Sequence, residues 1–307
     1  MTGQVRPAID ANLVARLVAA QFPAWASLPV RPVPAQGNDN RTFRIGDELV
    51  ARLPSATGYV AAVEKEDLVL PRLAGALPVA VPAPVATGSP ADDYPFPWSV
   101  RRWLPGVTAD EDPALDRTAL ARDLGAVLAA LQRHPVDGGP VAGRHSFFRG
   151  DHPRVYDAEV RAALGVLRAT AGRGDGIDVG ACAAVWAQTL ATAATGPAVW
   201  FHGDVGVGNL LTTHGRLSAL IDFGTCGVGN PACDLVIAWT FFDAAERRVF
   251  ADVVDLPATN WRLARGWALW KAMITITALP RGTAYDLYHR AIQERTIREV
   301  IADPVVG

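Results

Sequence analysis

Residues 201–224 constrain this chain more than any other stretch. Two short apolar runs, 209–212 and 217–221, flank a His214-Gly215 turn. That pattern folds as an antiparallel hairpin, because the glycine permits the reversal and the apolar side chains seek a core. The hairpin returns Asn209 and Asp222 to the same end. Two oxygen ligands then stand near one point, as a Mg²⁺ ion bound to phosphates requires. Asp222 follows the apolar run Ala219-Leu220-Ile221. A buried acid without a partner there is costly, and a cation supplies the partner. Five residues before Asn209 lies Asp204, in His202-Gly203-Asp204.

The bulk properties narrow the field. A chain of 307 residues is long for one core, and two lobes are expected. A net charge of -2 leaves no footprint for nucleic acid or an anionic membrane. No uninterrupted apolar run is long enough to span a bilayer, and no basic-then-apolar leader opens the sequence. Three cysteines without metal-type spacing suggest a reducing, cytoplasmic setting. Cys226 and Cys233 are read as packing residues rather than as ligands beside His202.

Along the chain, residues 9–22 have apolar positions at helical spacing. A Pro-rich link follows at 29–34. Residues 40–45 and 48–53 read as strands joined by Gly46-Asp47, 59–73 as a helix, 78–97 as extended, and 98–103 as a strand. Beyond residue 114 the signals are helical at 115–132, 155–171, 182–194, 234–242, 244–254, 261–278 and 284–301, with the hairpin interrupting them. Residues 172–180 read as a Gly-rich surface loop.

Asp204, Asn209 and the triplet Asp222-Phe223-Gly224 have the spacing by which protein kinases set a catalytic base, a metal-binding Asn and a metal-binding Asp. Gly203 stands where protein kinases carry Arg, and no Ala-Pro-Glu follows. The pattern His202-Gly203-Asp204, four residues, Asn209, then Ile221-Asp222-Phe223, Gly229-Asn230-Pro231 and Asp234-Leu235 instead resembles the aminoglycoside phosphotransferase and choline kinase-like family of small-molecule kinases. The resemblance runs roughly from residue 40 to 270 and is sharp from 201 to 234. Three departures stand out. Asn230 replaces the usual Asp, the loop 205–208 lacks the His-Pro often seen there, and Arg52 occupies the place of a strand lysine. Arginine can hold phosphate oxygens in a bidentate manner, and the only lysines are Lys65 and Lys271.

The resemblance implies an α+β, bilobal, protein-kinase-like fold. Its small, mainly antiparallel β lobe would be residues 1–104 and its helical lobe 105–307. It implies ATP or GTP as co-substrate with Mg²⁺, and a small hydroxylated acceptor. Asp204 is the catalytic base; Asn209 and Asp222 hold the metal. The nucleotide side draws on Asn40, at the end of the loop Gly37-Asn38-Asp39-Asn40, and on Arg52, Glu66, Arg102 and Leu104. Glu66 is chosen over Glu64 as the partner of Arg52 because Leu68, Leu70 and Leu73 then form the apolar face of the helix. His202 braces the loop in the family, although a histidine can also serve as a base. Asp234 reads as a helix N-cap, and in the family it also ties back to the catalytic loop. Each polar residue has a plainer role open to it: a turn at Asp204 or Asn209, a solvent-facing edge position at Arg52.

The acceptor is less legible. Asp243, Glu246, Asp252, Asp255, Glu294 and Glu299 would suit a polycationic aminoglycoside, or would merely form solvated helix faces. Trp239, Trp267 and Trp270 are core or pocket wall, with core expected for at least two. Three functions compete: an aminoglycoside-type antibiotic kinase; a kinase of a macrolide, a peptide antibiotic, or a choline- or homoserine-like metabolite; and a nucleotide-binding module without transfer activity. Oligomeric state is unreadable from the sequence.

Overall fold

The computed structural model describes residues 6–34, 37, 39–91, 93–170, 176–280 and 282–303. The chain forms two compact units. One comprises Met1–Gly106 and Ala219–Gly224, the other Val107–Ser218 and Thr225–Gly307.

In the first unit, helix α1 (Ala11–Gln21) begins where the Asp10 carboxylate accepts the Leu13 N–H at 2.8 Å, as an N-cap should. Its apolar stripe, Leu13, Val14, Leu17 and Val18, is buried. Strands β1 (Val30–Pro32), β2 (Asn40–Ile45) and β3 (Leu49–Pro54) follow, then helix α2 (Val60–Leu73) and strands β4 (Pro84–Gly88) and β5 (Trp98–Arg102). The sheet order is β1-β2-β3-β5-β4, with all pairs antiparallel. The link at 29–34 therefore contains a strand that its prolines conceal. Pro32 is tolerated because β1 is an edge. The β2–β3 reversal passes through Gly46 at φ +57°, where glycine is the least strained choice.

One face of this sheet packs with α1. Leu13, Leu17, Phe43, Ile45, Ala51, Leu53, Trp98 and Val100 form its core. On α2, the buried residues are Val63, Lys65, Glu66, Val69, Leu70 and Leu73. Leu68, expected on the apolar face, is instead 62% exposed. It lies off the stripe that Val63, Glu66, Leu70 and Leu73 trace at helical spacing.

The second unit contains β6 (Val107–Thr108), α3 (Arg117–Arg133), α4 (Asp157–Thr170), α5 (Val179–Ala191), β7 (Val199–Phe201) and β8 (Leu210–Thr213). Strand β9 (Arg216–Leu220) starts here and ends in the first unit. Then come β10 (Gly227–Gly229), α6 (Ile237–Thr240), α7 (Ala244–Val254), α8 (Ala258–Ala278) and α9 (Ala284–Ala302). The hairpin strands lie in a sheet of order β6-β8-β9, and β7 pairs with β10. Helix α8 buries most of its surface, including Trp261, Trp267 and Trp270. Trp239, Trp267 and Trp270 are all core, at 0, 2 and 4% exposure. Of the Gly-rich loop read at 172–180, residues 172–175 lie outside the described residues, and α5 starts at Val179.

The segment after β10 corrects one expectation. Asp234 does not cap a helix running from 234 to 242. A 3₁₀ turn, Pro231–Val236, is capped by Asn230, whose side chain accepts from Ala232 N–H, and α6 follows it. Asp234 is engaged elsewhere.

Candidate active site

In the first unit, strand β3 sets Arg52 opposite Ser99 of β5. Side chains alternate across a strand. Trp98 and Val100 therefore face the α1 side, while Ser99 and Arg101 share the other face with Arg52. Glu66 meets that second face. Arg101 grips Glu66 through both carboxylate oxygens, at 3.2 and 2.9 Å, and its Nε donates to Ser99 Oγ at 3.1 Å. Arg52 donates to Glu66 Oε1 at 3.1 Å and to Asp222 Oδ1 at 3.0 Å. Two guanidiniums and two carboxylates thus form one chain of ion pairs. Glu66 is 2% exposed and Arg101 1%.

Burial alone would raise the Glu66 pKa, but the guanidiniums of Arg101 and Arg52 outweigh it and hold the group at about 2. Burial would likewise favour neutral Arg52; the charges of Glu66 and Asp222 reverse that and raise its pKa. Glu64 is exposed and takes no part in these pairs. Asp222 itself sits at φ +65°, a left-handed conformation costing roughly 1–2 kcal/mol for a residue with a Cβ. Such outliers concentrate at functional sites.

Sequence reasoning missed Arg101; Arg102 is named there for a separate role, nucleotide binding by the segment 98–104. Arg102 is exposed at the end of β5, paired with Leu49, and Leu104 is half-buried beyond it. The signal for Arg101 was its odd register against Trp98 and Val100. Asn40 opens β2 at 9% exposure, opposite Pro54. Its neighbour Asn38 lies outside the described residues.

In the second unit, β7 delivers the chain into His202-Gly203-Asp204. Asp234 anchors this turn from below: Oδ2 accepts the His202 N–H at 2.7 Å and Oδ1 the Gly203 N–H at 2.6 Å. Asp234 is fully buried. Burial raises its pKa, with His202 and the two N–H groups opposing. Gly203 has φ +87°, and a Cβ there would stand 2.9 Å from the Thr225 carbonyl oxygen. Thr225 Oγ1 donates to the His202 carbonyl at 3.0 Å. The buried His202 ring accepts the Asp204 N–H through Nδ1 at 3.2 Å, so that nitrogen is occupied in holding the loop.

Asp204 is exposed. Asn209 donates from Nδ2 to the Asp204 carbonyl at 2.9 Å and to its Oδ2 at 3.2 Å. The amide nitrogen is thereby committed, and Oδ1 of Asn209 is left as an acceptor. Asp222 belongs to the first unit and Asn209 to the second.

One basic residue, Lys271 of α8, interacts electrostatically with Asp204. Arg149 lies over the rings of Trp270 and Trp267, at 5.1 and 5.8 Å. Lys271, next along α8, has a pKa lowered by desolvation and by Arg149, with Asp204 pulling the other way. Neither basic residue was singled out, since the loop of Arg149 carries no motif. Several expected acids have structural partners. Asp243 caps α7 in a reciprocal pair with Glu246, Glu246 binds Arg117 at 2.7 Å, and Glu299 binds Arg247 at 2.8 Å. Asp252 and Asp255 are exposed and Glu294 is half-buried. The three cysteines are buried and form no disulfide among the described residues. Among the described residues, no three His, Cys, Asp or Glu side chains gather as a metal site, and no helix is long and apolar enough to cross a membrane.

A five-stranded antiparallel unit, a helical unit and an Asp-Asn loop leading into an Asp-ended hairpin define a kinase-like phosphotransferase. Residues 30–267 match the model of the phosphotransferase enzyme family, and the chain belongs to that family. It is a kinase-type enzyme. Similar solved structures bear out the fold. One is the GDP complex of wild-type aminoglycoside 2'-phosphotransferase-IIIa, 17% identical, covering 96% of this chain and 99% of that one, TM-score 0.69. Another is a streptomycin–ATP–APH(2")-IIa ternary complex, 16% identical, covering 96 and 97%, TM-score 0.59. A third is macrolide 2'-phosphotransferase from Brachybacterium faecium, 21% identical, covering 94 and 97%, TM-score 0.60. No curated protein matches the sequence.

Proposed function

We propose that the enzyme transfers the terminal phosphoryl group of ATP or GTP to a hydroxyl of a small molecule, with an aminoglycoside-type antibiotic as the first acceptor to test. The observation that carries this is the Asp204 loop. Asp234, His202 and Asn209 fix its backbone and one carboxylate oxygen, yet leave the carboxylate exposed. A carboxylate so held orients an incoming hydroxyl and accepts its proton as the oxygen attacks. Phosphoryl transfer otherwise needs positioning and charge neutralisation. Arg52, fixed by Glu66, supplies positive charge for the nucleotide phosphates. Asn40 lies at the end of the loop assigned to them, and the backbone at Arg102 and Leu104 is assigned to the base.

Mg²⁺ is the proposed metal, with Asn209 and Asp222 as its proposed ligands. Asn209 keeps an amide oxygen free because its nitrogen serves Asp204, and Asp222 keeps Oδ2 while Oδ1 serves Arg52. A hard cation takes few protein oxygens when phosphates supply the rest. Bound with nucleotide, Mg²⁺ would neutralise phosphate charge.

The ammonium of Lys271, which interacts with Asp204, favours a second acceptor class. Like charges repel a polycation, so a hydroxylated compound with few ammonium groups, such as a macrolide, suits this flank better. An acceptor panel with mass detection of an added phosphate separates the two. Asp204→Asn should lower turnover by ~10²–10⁴-fold while nucleotide binding persists; retained turnover refutes the role of Asp204.

A further inference from the structure

A groove of about 960 Å³ opens on the second unit, lined by residues of α5, α8 and α9 and the loop after α5. Its walls mix small apolar residues, among them Ala181, Ala184, Val185 and Ile301, with the polar Gln188, Thr192 and Thr259. Two arginines enter it from α8, Arg262 and Arg265, one turn apart and so on one helix face. No Asp or Glu lines it.

Arg262 is exposed. Arg265 is 6% exposed. Its Nε and Nη2 both donate to the Val300 carbonyl, at 3.1 and 2.6 Å. Capping the end of α9 in this way accounts for two of its nitrogens. The third, Nη1, has no hydrogen-bond partner among the described residues. The carboxylate that acts on it electrostatically is Asp303, but Asp303 is held by Arg247 at 2.6 Å. Burial lowers the Arg265 pKa, with Asp303 opposing. Nη1 reaches solvent, so a ligand lying in the groove can reach it too. A guanidinium also presents a planar fork suited to a carboxylate. The volume falls in the range of small-ligand sites.

We propose that this groove binds a small amphipathic anion, its carboxylate on Arg265 Nη1 and Arg262 and its apolar body along the alanine methyls. The site is separate from the Asp204 loop and does not depend on the phosphotransfer reading.

Decanoate is the probe, titrated calorimetrically into the full chain without nucleotide, with decanol as the uncharged control. The expected result is one saturable site for decanoate and none for decanol. Arg262→Glu, an exposed change that leaves packing intact, should weaken decanoate at least ten-fold. Arg265→Met should do the same, and circular dichroism reports whether that variant folds. The proposal is overturned if no saturable site is found, if decanol binds equally, or if Arg262→Glu binds decanoate unchanged. Binding that appears only after residues 304–307 are removed would also overturn it, since the chain's own end would then fill the groove.

Discussion

Removing the charge of Glu66 tests the ion-pair chain of the first unit. Glu66→Gln keeps the side chain's size but leaves Arg101, 1% exposed, and Arg52 with one carboxylate fewer. Two routes give the magnitude. Breaking a buried pair by removing one partner costs about 3–5 kcal/mol. By linkage, a pKa held at about 2 against an ordinary 4.5 is worth ~3 kcal/mol at ~1.4 kcal/mol per decade. The sign follows from the depressed value. The contribution is complete above pH 4.5 and is lost as pH falls towards 2, when the native carboxylate must also protonate. Urea unfolding, followed at the transition that includes the first unit, should therefore show Glu66→Gln less stable by ~3 kcal/mol at pH 7. The gap to the parent should narrow between pH 4.5 and 3. A gap under about 0.5 kcal/mol at pH 7, or one that widens on acidification, would refute the reasoning.

Gly203→Ala sets a Cβ 2.9 Å from the Thr225 carbonyl at φ +87°, and should cost ~1–3 kcal/mol with a fall in turnover, read by thermal melting and kinetics. Asp234→Asn turns an NH₂ group towards one of two buried N–H donors; a loss of ~1–3 kcal/mol is expected, with kcat falling because the Asp204 loop loosens. Lys271→Glu should improve kcat/KM for polycationic acceptors relative to neutral ones, and an unchanged ratio in a paired acceptor assay would show that this flank does not face the acceptor.

Elements with local punctuation were legible in the sequence. Strand β2 is bounded by a polar loop and by Gly46-Asp47, and α7 opens with the reciprocal Asp243–Glu246 cap. The hairpin was legible because His214-Gly215 separates two apolar runs. What was not legible rests on partners distant in sequence. Strands β7 and β10 are three residues each, and Gly227-Val228-Gly229 carries no strand signature; only their pairing makes them strands. From its neighbours alone Asp234 looks like a cap; only the family resemblance pointed to its contacts with the loop 31 and 32 residues away. Arg101 and Arg102 are told apart only by alternation along β5, where Arg101 shares the face of Ser99 and so turns inward to Glu66.

The segment Ala219–Gly224 bears on biosynthesis. Leu220 N–H reaches the Ala80 carbonyl at 3.0 Å, and Asp222 closes the ion-pair chain begun at Arg52. A nascent polypeptide therefore cannot finish its amino-terminal unit in order of synthesis. That unit must wait, one strand-end and one carboxylate short, until residue 224 has cleared the ribosomal exit tunnel, and any truncation before Asp222 leaves Arg52 without one of its two counter-charges.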